Sequence, residues 1–312
     1  MSENNDLLEQ LEQILHFKKS KKFYAERLGV TEEEINNLFK EFKTLKEPTK
    51  EKIAAKILIL DVETSPCLAY IFQTQVWKAR VGHKHLLSNW FMLSWSAKWL
   101  DEDETFSDAL TPDEALCEDD NRIVTSLWLL LDEADIIIAH NGDTFDIPNI
   151  LTRCVLHKLP LPSPYKQIDT LKVAQKQFGF THNSLDALAE FFGIEGKIET
   201  NFELWKKCIN GDEDALLEME VYNRNDVVLL EKVYHFLKPY IKGHPNLDLY
   251  CDGINPVCTS CGKDALSHMP DKYFYTQAVR YPIYRCSSCG AISRAKKGEP
   301  YINKKQISSI PR

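Results

Sequence analysis

Apolar residues recur at helical spacing among charged ones from Leu7 to Phe42: Leu7, Leu8, Leu11, Ile14 and Leu15, then Phe23 and Leu28, then Ile35, Leu38, Phe39 and Phe42. The pattern predicts three short helices within residues 1–45. Ala25 is small enough for two helices to approach, Gly29 can turn the chain, and Val30 and Ile35 can close a core, as in a helix-turn-helix. The third helix opens Thr31-Glu32-Glu33-Glu34, a cap followed by acids that suit the helix dipole but repel phosphate. The module therefore reads as a packing or partner-binding unit ahead of a DNA reader.

Residues 46–56, rich in Lys and Glu, form a linker, after which the pattern changes. Ile57-Leu58-Ile59-Leu60 is the continuous apolar run of a strand buried on both faces. Phe91 to Leu100 and Thr105 to Leu110 predict two more strands, and Asp119 to Glu133 a helix facing inward with Ile123, Leu127, Leu130 and Leu131. Asp135 to Ala139 is another buried strand, followed by a helix over Phe145 to His157. From Ile168 to Ile241 the chain reads helical, including Leu185 to Phe192, Phe202 to Ile209 and Asp214 to Leu237. Strands, then a strand-helix unit, then helices predict an α/β domain with a mixed sheet packed by helices.

Composition narrows the setting. Hydrophobic residues make up 44% of 312, enough for a sizeable core, and no run approaches the roughly 18 apolar residues of a bilayer span. Met1 to Lys22 is polar, so the chain is expected to stay in the cytoplasm. Nine cysteines there should remain reduced, which makes any cysteine cluster a question of metal rather than disulfide. The charge of −8 divides unevenly: residues 1–56 are neutral, 57–270 carry −15 and 271–312 carry +7. An acidic body can hide carboxylates gathered around cations, and a basic tail suits a polyanion.

Three segments supply candidate acids. Asp61 and Glu63 end the first buried strand, where alternation points both carboxylates to one face, and paired anions of this kind suit Mg2+ or Mn2+. His140-Asn141-Gly142-Asp143-Thr144-Phe145-Asp146 joins a strand end to a helix start, where open sheets place ligands, although Asp143 or Asp146 can equally cap the helix. Tyr222 and Asp226, four apart on a late helix, face one side, and a phenol there can orient a water. Each segment alone is common.

Their order is not. Asp-x-Glu at a strand end, Asn-Gly-x-x-Phe-Asp after a later strand and Tyr-x-x-x-Asp on a late helix together resemble the DEDD exonucleases, the DnaQ-like group with a ribonuclease H-like fold, over residues 55–240. Tyr222 four before Asp226 is similar to the DEDDy branch; the sister branch has a histidine five before, where this chain has Val221. Leu60-Asp61-Val62-Glu63-Thr64-Ser65-Pro66 is similar to the first motif of members found in phage and bacterial genomes.

The resemblance implies a ribonuclease H-like domain over residues 57–242, in which Asp61, Glu63 and Asp226 hold one Mg2+ or Mn2+ and Asp61 and Asp146 serve a second. Tyr222 would position the attacking water. It also implies that Thr64, Asn141 and Phe145 lie against the terminal nucleotide and that nucleoside 5'-monophosphates leave from a 3' end. Single-stranded DNA or a 3' end is the expected partner. A non-catalytic nucleic-acid-binding adaptor, an RNA-trimming nuclease and a structure-specific endonuclease are the alternatives. Asp169 and Asp186 either lie behind the acids or, in the preferred reading, cap helices.

Cys258-x-x-Cys261 and Cys286-x-x-Cys289, each followed by glycine, predict a four-thiolate Zn2+ site and a zinc ribbon over residues 251–312, with free thiols or an iron site as alternatives. Its hairpin carries Lys272, Tyr273, Phe274, Tyr275, Arg280, Tyr281, Tyr284 and Arg285, and Arg294, Lys296, Lys297, Lys304 and Lys305 follow. Rings that stack on bases beside cations that meet phosphates predict contact with single strands, although some rings must build the ribbon core. Cys251, His244 and His268 read as bystanders, Asp101 to Glu104 as a solvated loop, and the segment of Lys78, Arg80, His83, Lys84 and His85 as either loop or substrate contact.

Overall fold

A computed structural model describes residues 25, 28–31, 33–38, 55–71, 81–196, 198–253, 255–276 and 279–298. The first expected helix, most of the second, Phe39 and Phe42, most of the linker, Lys78, Arg80, Lys304 and Lys305 lie outside the described residues. The chain divides into two compact units, Met1–Ile53 and Ala54–Arg312. In the first, Gly29 turns at φ 67° and residues 33–38 are helical. Thr31 and Glu34 cap one another: Glu34 N donates to Thr31 Oγ1 at 3.2 Å and Thr31 N to Glu34 Oε2 at 2.8 Å. Ala25, Ile35 and Leu38 are buried.

The second unit begins with strand β1 (Ile57–Thr64), the short pair β2 (Leu68–Ala69) and β3 (Leu86–Ser88), then β4 (Met92–Trp99) and β5 (Phe106–Ala109). Helices α1 (Pro112–Cys117) and α2 (Asn121–Glu133) lead to β6 (Ile136–Ala139), α3 (Asp146–Leu156) and β7 (Lys166–Asp169). Helices α4 (Thr170–Gln177), α5 (Leu185–Phe191), α6 (Phe202–Ile209) and α7 (Glu213–Leu237) follow, then β8 (Leu266–Tyr275), β9 (Arg280–Cys286) and β10 (Ile292–Arg294) in the segment expected to form the ribbon. The main sheet runs β5-β4-β1-β6-β7; β1 is antiparallel to β4 and parallel to β6, which is parallel to β7.

Period-two alternation makes β1 the hinge of the core. Leu58, Leu60 and Val62 pack in one cluster with Ile123, Leu127 and Leu131 of α2 and Ile147 and Ile150 of α3. Ile57 and Ile59 point the other way, into a cluster with Ile136, Ile138, Ile168 and, from α7, Val227, Leu230 and Tyr234. Asp61 and Glu63 share the parity of Ile57 and Ile59, so they project beneath α7.

Several elements depart from the expected pattern, the short β2-β3 pair among them. Residues 166–169, expected to lead into helix, form the edge strand β7, paired through Ile138 with Ile168 and Ala139 with Asp169. Its outer half, Lys166-Gln167, is exposed, so it lacks the apolar run that marks β1 and β6. Helix α1 was not expected; Thr111 and Glu114 cap it reciprocally, with Pro112 in its first turn. Asp169 does cap α4, accepting from Lys172 N, whereas α5 is capped by Ser184 rather than Asp186.

After α7 the chain turns through Lys238–Tyr240 and Leu247–Tyr250 into the ribbon, whose sheet order is β10-β9-β8. Tyr234 OH lies 2.8 Å from His244 Nε2, and Leu247 N donates to Thr259 O at 2.9 Å, so the first cysteine knuckle is bonded to the segment leaving α7. Among the described residues no helix is long and apolar enough to cross a membrane.

Candidate active site and cysteine cluster

Carboxylate oxygens of Asp61, Glu63 and Asp226 lie within 4.8 Å of one another. The strand delivers the first two and α7 delivers the third. Burial first, then the charges of Asp146, Glu63 and Asp226, holds Asp61 well above the ordinary carboxylate range, against the pull of Asn223. Burial, then Asp226 and Asp146, pushes Glu63 up to about 8, opposed by the Trp205 indole that donates to it. Neither acid is paired with a Lys or Arg among the described residues.

Asp146 stands at the start of α3, 1% exposed, and its Oδ1 accepts from Val62 N at 3.1 Å. The carboxylate is thereby fixed to the backbone between the two β1 acids. Its other oxygen, Oδ2, is buried and has no hydrogen-bond partner among the described residues. Burial lifts this acid to about 7 in spite of the amides it accepts from. It stands beside the three-acid group rather than within it.

The turn that presents Asp146 is tightly determined. Asn141 adopts φ 68°, and its carbonyl accepts from Thr144 N at 3.1 Å and Phe145 N at 3.0 Å. Gly142 is required by space: a Cβ there would lie 2.5 Å from Ala139 Cβ. Asp169 holds the turn from β7, accepting from Asn141 N at 3.1 Å and Asp143 N at 3.3 Å while it caps α4. Capping and service behind the acids are thus one role at Asp169.

On α7, burial and then Asp226 and Glu63 raise Tyr222, so the phenol stays protonated and bonds Asp226 one turn on. Asn223, fully buried, donates from Nδ2 to Asp61 Oδ2 at 2.6 Å and accepts from Ser94 Oγ at 3.4 Å. Sequence reasoning gave Asn223 no role, although its spacing of three from Asp226 places both on one helix face. Trp205 packs edge-on against Tyr222 at 6.2 Å between centroids. With Thr64, Ser65, Pro66, Thr200, Asn201 and Phe202 it lines a cleft of about 440 Å3. Thr64 thus faces this cleft, whereas Asn141 and Phe145 lie outside its lining; the Phe145 ring is 39% exposed.

The four cysteines Cys258, Cys261, Cys286 and Cys289 also bring their sulfurs within 4.8 Å, with Cys258 to Cys289 at 3.6 Å and Cys261 to Cys286 at 3.7 Å. Each knuckle turns on its glycine, Gly262 at φ 66° and Gly290 at φ 80°, whose amides reach back to Cys258 O and Cys286 O. Burial alone would raise Cys286, but the amides of Cys289 and Ser288 bring it to about 7. Four converging thiols can hold a soft or borderline metal ion. His244, His268 and Cys251 stand outside the group; His268 packs against Tyr284.

A third group, Asp101, Glu231 and His235, is engaged elsewhere: Lys98 pairs with Glu231, and Asp101 N donates to Glu231 Oε1 at 2.9 Å. Residues 101–104 are exposed. His83–His85 form an exposed 3-10 turn.

Residues 96–238 match the family described as the RNase_H superfamily. The match starts within β4, so it takes in Asp146, Tyr222 and Asp226 but not β1. A family B DNA polymerase from the hyperthermophilic archaeon Pyrobaculum calidifontis is structurally similar at a TM-score of 0.42 and 14% identity, over 59% of this chain and 25% of that one. This chain therefore spans about a quarter of that polymerase's length. No curated protein matches the sequence. The five-stranded mixed sheet packed by helices is a ribonuclease H-like fold, which supports nuclease-type activity and nucleic-acid binding in general.

Proposed function

We propose that the chain is a metal-dependent 3'-5' exonuclease of the DEDDy type, acting on nucleic acid, with DNA the favoured substrate. The observation that carries this reading is the convergence of Asp61, Glu63 and Asp226 within 4.8 Å, with Asp146 alongside. Like charges gathered in an interior are costly unless a cation neutralises them, and an all-oxygen donor set suits Mg2+ or Mn2+. The orphaned Asp146 Oδ2 is the second sign that the site is built to receive something.

Asp61, Glu63 and Asp226 would hold one divalent ion, and Asp61 with Asp146 a second. Bound there, the ions would supply the charge that stabilises the entering and leaving oxygens at phosphorus. Tyr222, a neutral donor, orients the attacking water. Asn223 and Trp205 fix the β1 carboxylates, and Asp169 fixes the turn that carries Asp146. The cleft beside Thr64 and Trp205 accepts the terminal nucleotide, while Asn141 and Phe145 guide the strand at the rim. Cys258, Cys261, Cys286 and Cys289 would hold one Zn2+, which with four thiolate ligands would serve structure rather than hydrolysis.

Oligonucleotides of DNA and RNA labelled at either end, incubated with Mg2+ or Mn2+, test the reading. Stepwise shortening from the 3' end with release of nucleoside 5'-monophosphates is expected. No shortening under any metal condition would leave a nucleic-acid-binding adaptor as the better description.

A further inference from the structure

One side of the ribbon sheet is composed unlike an ordinary solvent face. Phe274 pairs with Tyr281 and Ser267 with Arg285 across β8 and β9, while Arg285 pairs with Ile292 and Ile283 with Arg294 across β9 and β10. Alternation therefore gathers Phe274, Tyr281, Ile283, Arg285, Ile292 and Arg294 on one face, with Lys272 in line. The opposite face carries the buried Cys286 and Ser293 toward the cysteine cluster, Ser293 Oγ lying 2.9 Å from Thr259 Oγ1.

The first face leaves Phe274 48% and Ile292 51% exposed. The Arg294 guanidinium lies 4.3 Å from the Tyr281 ring centroid and 5.4 Å from that of Phe274. A guanidinium held over two rings has already lost much of its rotamer freedom and can offer its N–H groups to an anion. Among the described residues no carboxylate stands on this face and none pairs with Lys272, Arg285 or Arg294.

We propose that this face grips a single strand of nucleic acid and presents it to the acids; the inference rests on the nuclease reading above. Bases stack on the exposed Phe274 ring and on the Arg294 guanidinium that lies over Tyr281, and cover Ile283 and Ile292, while phosphates meet Lys272, Arg285 and the N–H edges of Arg294. A duplex offers no base faces to such a surface, and an acidic peptide leaves the exposed ring and isoleucine without a flat apolar partner. Tyr273, Tyr275 and Tyr284 belong to the other face, where Arg280 already covers Tyr273 at 4.3 Å. The grip is tethered to the helix that carries Asp226. The Tyr234 to His244 bond anchors the segment that carries the ribbon, and Tyr234 follows Asp226 by about 12 Å along α7.

Fluorescence anisotropy, with a single-stranded oligonucleotide of roughly 20 nucleotides and its duplex in Ca2+, tests the grip. The double variant Arg285→Glu/Arg294→Glu should bind the single strand at least about tenfold more weakly, with a salt slope shallower by about 1.4. Phe274→Ala should weaken binding about tenfold. Tyr275→Ala, an exposed ring on the opposite face, should leave binding unchanged. Retained zinc in each variant certifies the fold. Wild-type affinity and salt slope in the double variant, equal binding of duplex, or equal losses in Phe274→Ala and Tyr275→Ala would each overturn the proposal. The p-nitrophenyl ester of thymidine 5'-monophosphate, too small to reach the ribbon, should be hydrolysed equally by wild type and variants. If the wild type cleaves neither this ester nor any oligonucleotide, the nuclease reading falls, while anisotropy still judges the grip by itself.

Discussion

Asn223 ties Asp61 to the sheet more directly than any other side chain described, because its buried amide spans from that carboxylate to Ser94. Asn223→Ala strands both partners, and loss of such an outer hydrogen bond typically lowers metal affinity or turnover by about 10–100-fold. Calorimetric titration with Mn2+ alongside cleavage assays should show that loss without a matching loss of oligonucleotide binding. Asp61→Asn keeps the shape and removes the charge: turnover should fall to background while anisotropy still reports bound oligonucleotide, and near-normal cleavage would remove Asp61 from the mechanism. The acids themselves were legible because each sits in a spaced motif. Asn223 and Trp205 were not, since a helical Asn or a Trp among apolar neighbours looks the same in sequence whether or not it touches a carboxylate.

Strands and turns decide whether these groups meet. Gly142→Ala drives a methyl into Ala139, a small-to-large change that typically costs about 1–3 kcal/mol. It should lower Tm, and activity further still, because the displaced turn is the one that carries Asp146. Cys286→Ser should release zinc, measured by atomic absorption, and weaken oligonucleotide capture more than hydrolysis of the small ester; unchanged zinc would refute the ribbon assignment. The uniform apolar runs of β1 and β6 announced them in the sequence. Strand β7 did not announce itself, because an edge strand with Lys166 and Gln167 facing water carries half the apolar signal of a central one. The hairpin cysteines were legible by spacing alone, whereas the partition of its rings between two faces needed the register.

Across the protein, the acidic body and basic tail take on distinct meanings. The formal −15 of the body overstates its charge when no metal is bound, because burial pushes Glu63 up to about 8 and Asp146 up to about 7. Both values lie above those of an unfolded chain, so without metal the fold favours the protonated acids. Their contribution to stability is complete below about pH 4 and is lost as pH rises through 7 to 8. Metal-free protein should therefore show a Tm that falls between pH 5.5 and 8.5. Mn2+ should raise Tm more at the upper end, because the ligands must shed their protons to bind. Scanning calorimetry with and without Mn2+ checks both signs.

The parity of β1 has one further consequence. Since Ile57, Ile59, Asp61 and Glu63 share a side, shifting the strand by a single residue against its neighbours would drive two anions into the hydrocarbon layer beneath α2 and α3. A mispaired chain would thus be inert and unstable at the same moment. If the proposed nuclease reading holds, hydrolytic competence would double as an assay of correct strand alignment, and partially active misfolded populations should not accumulate.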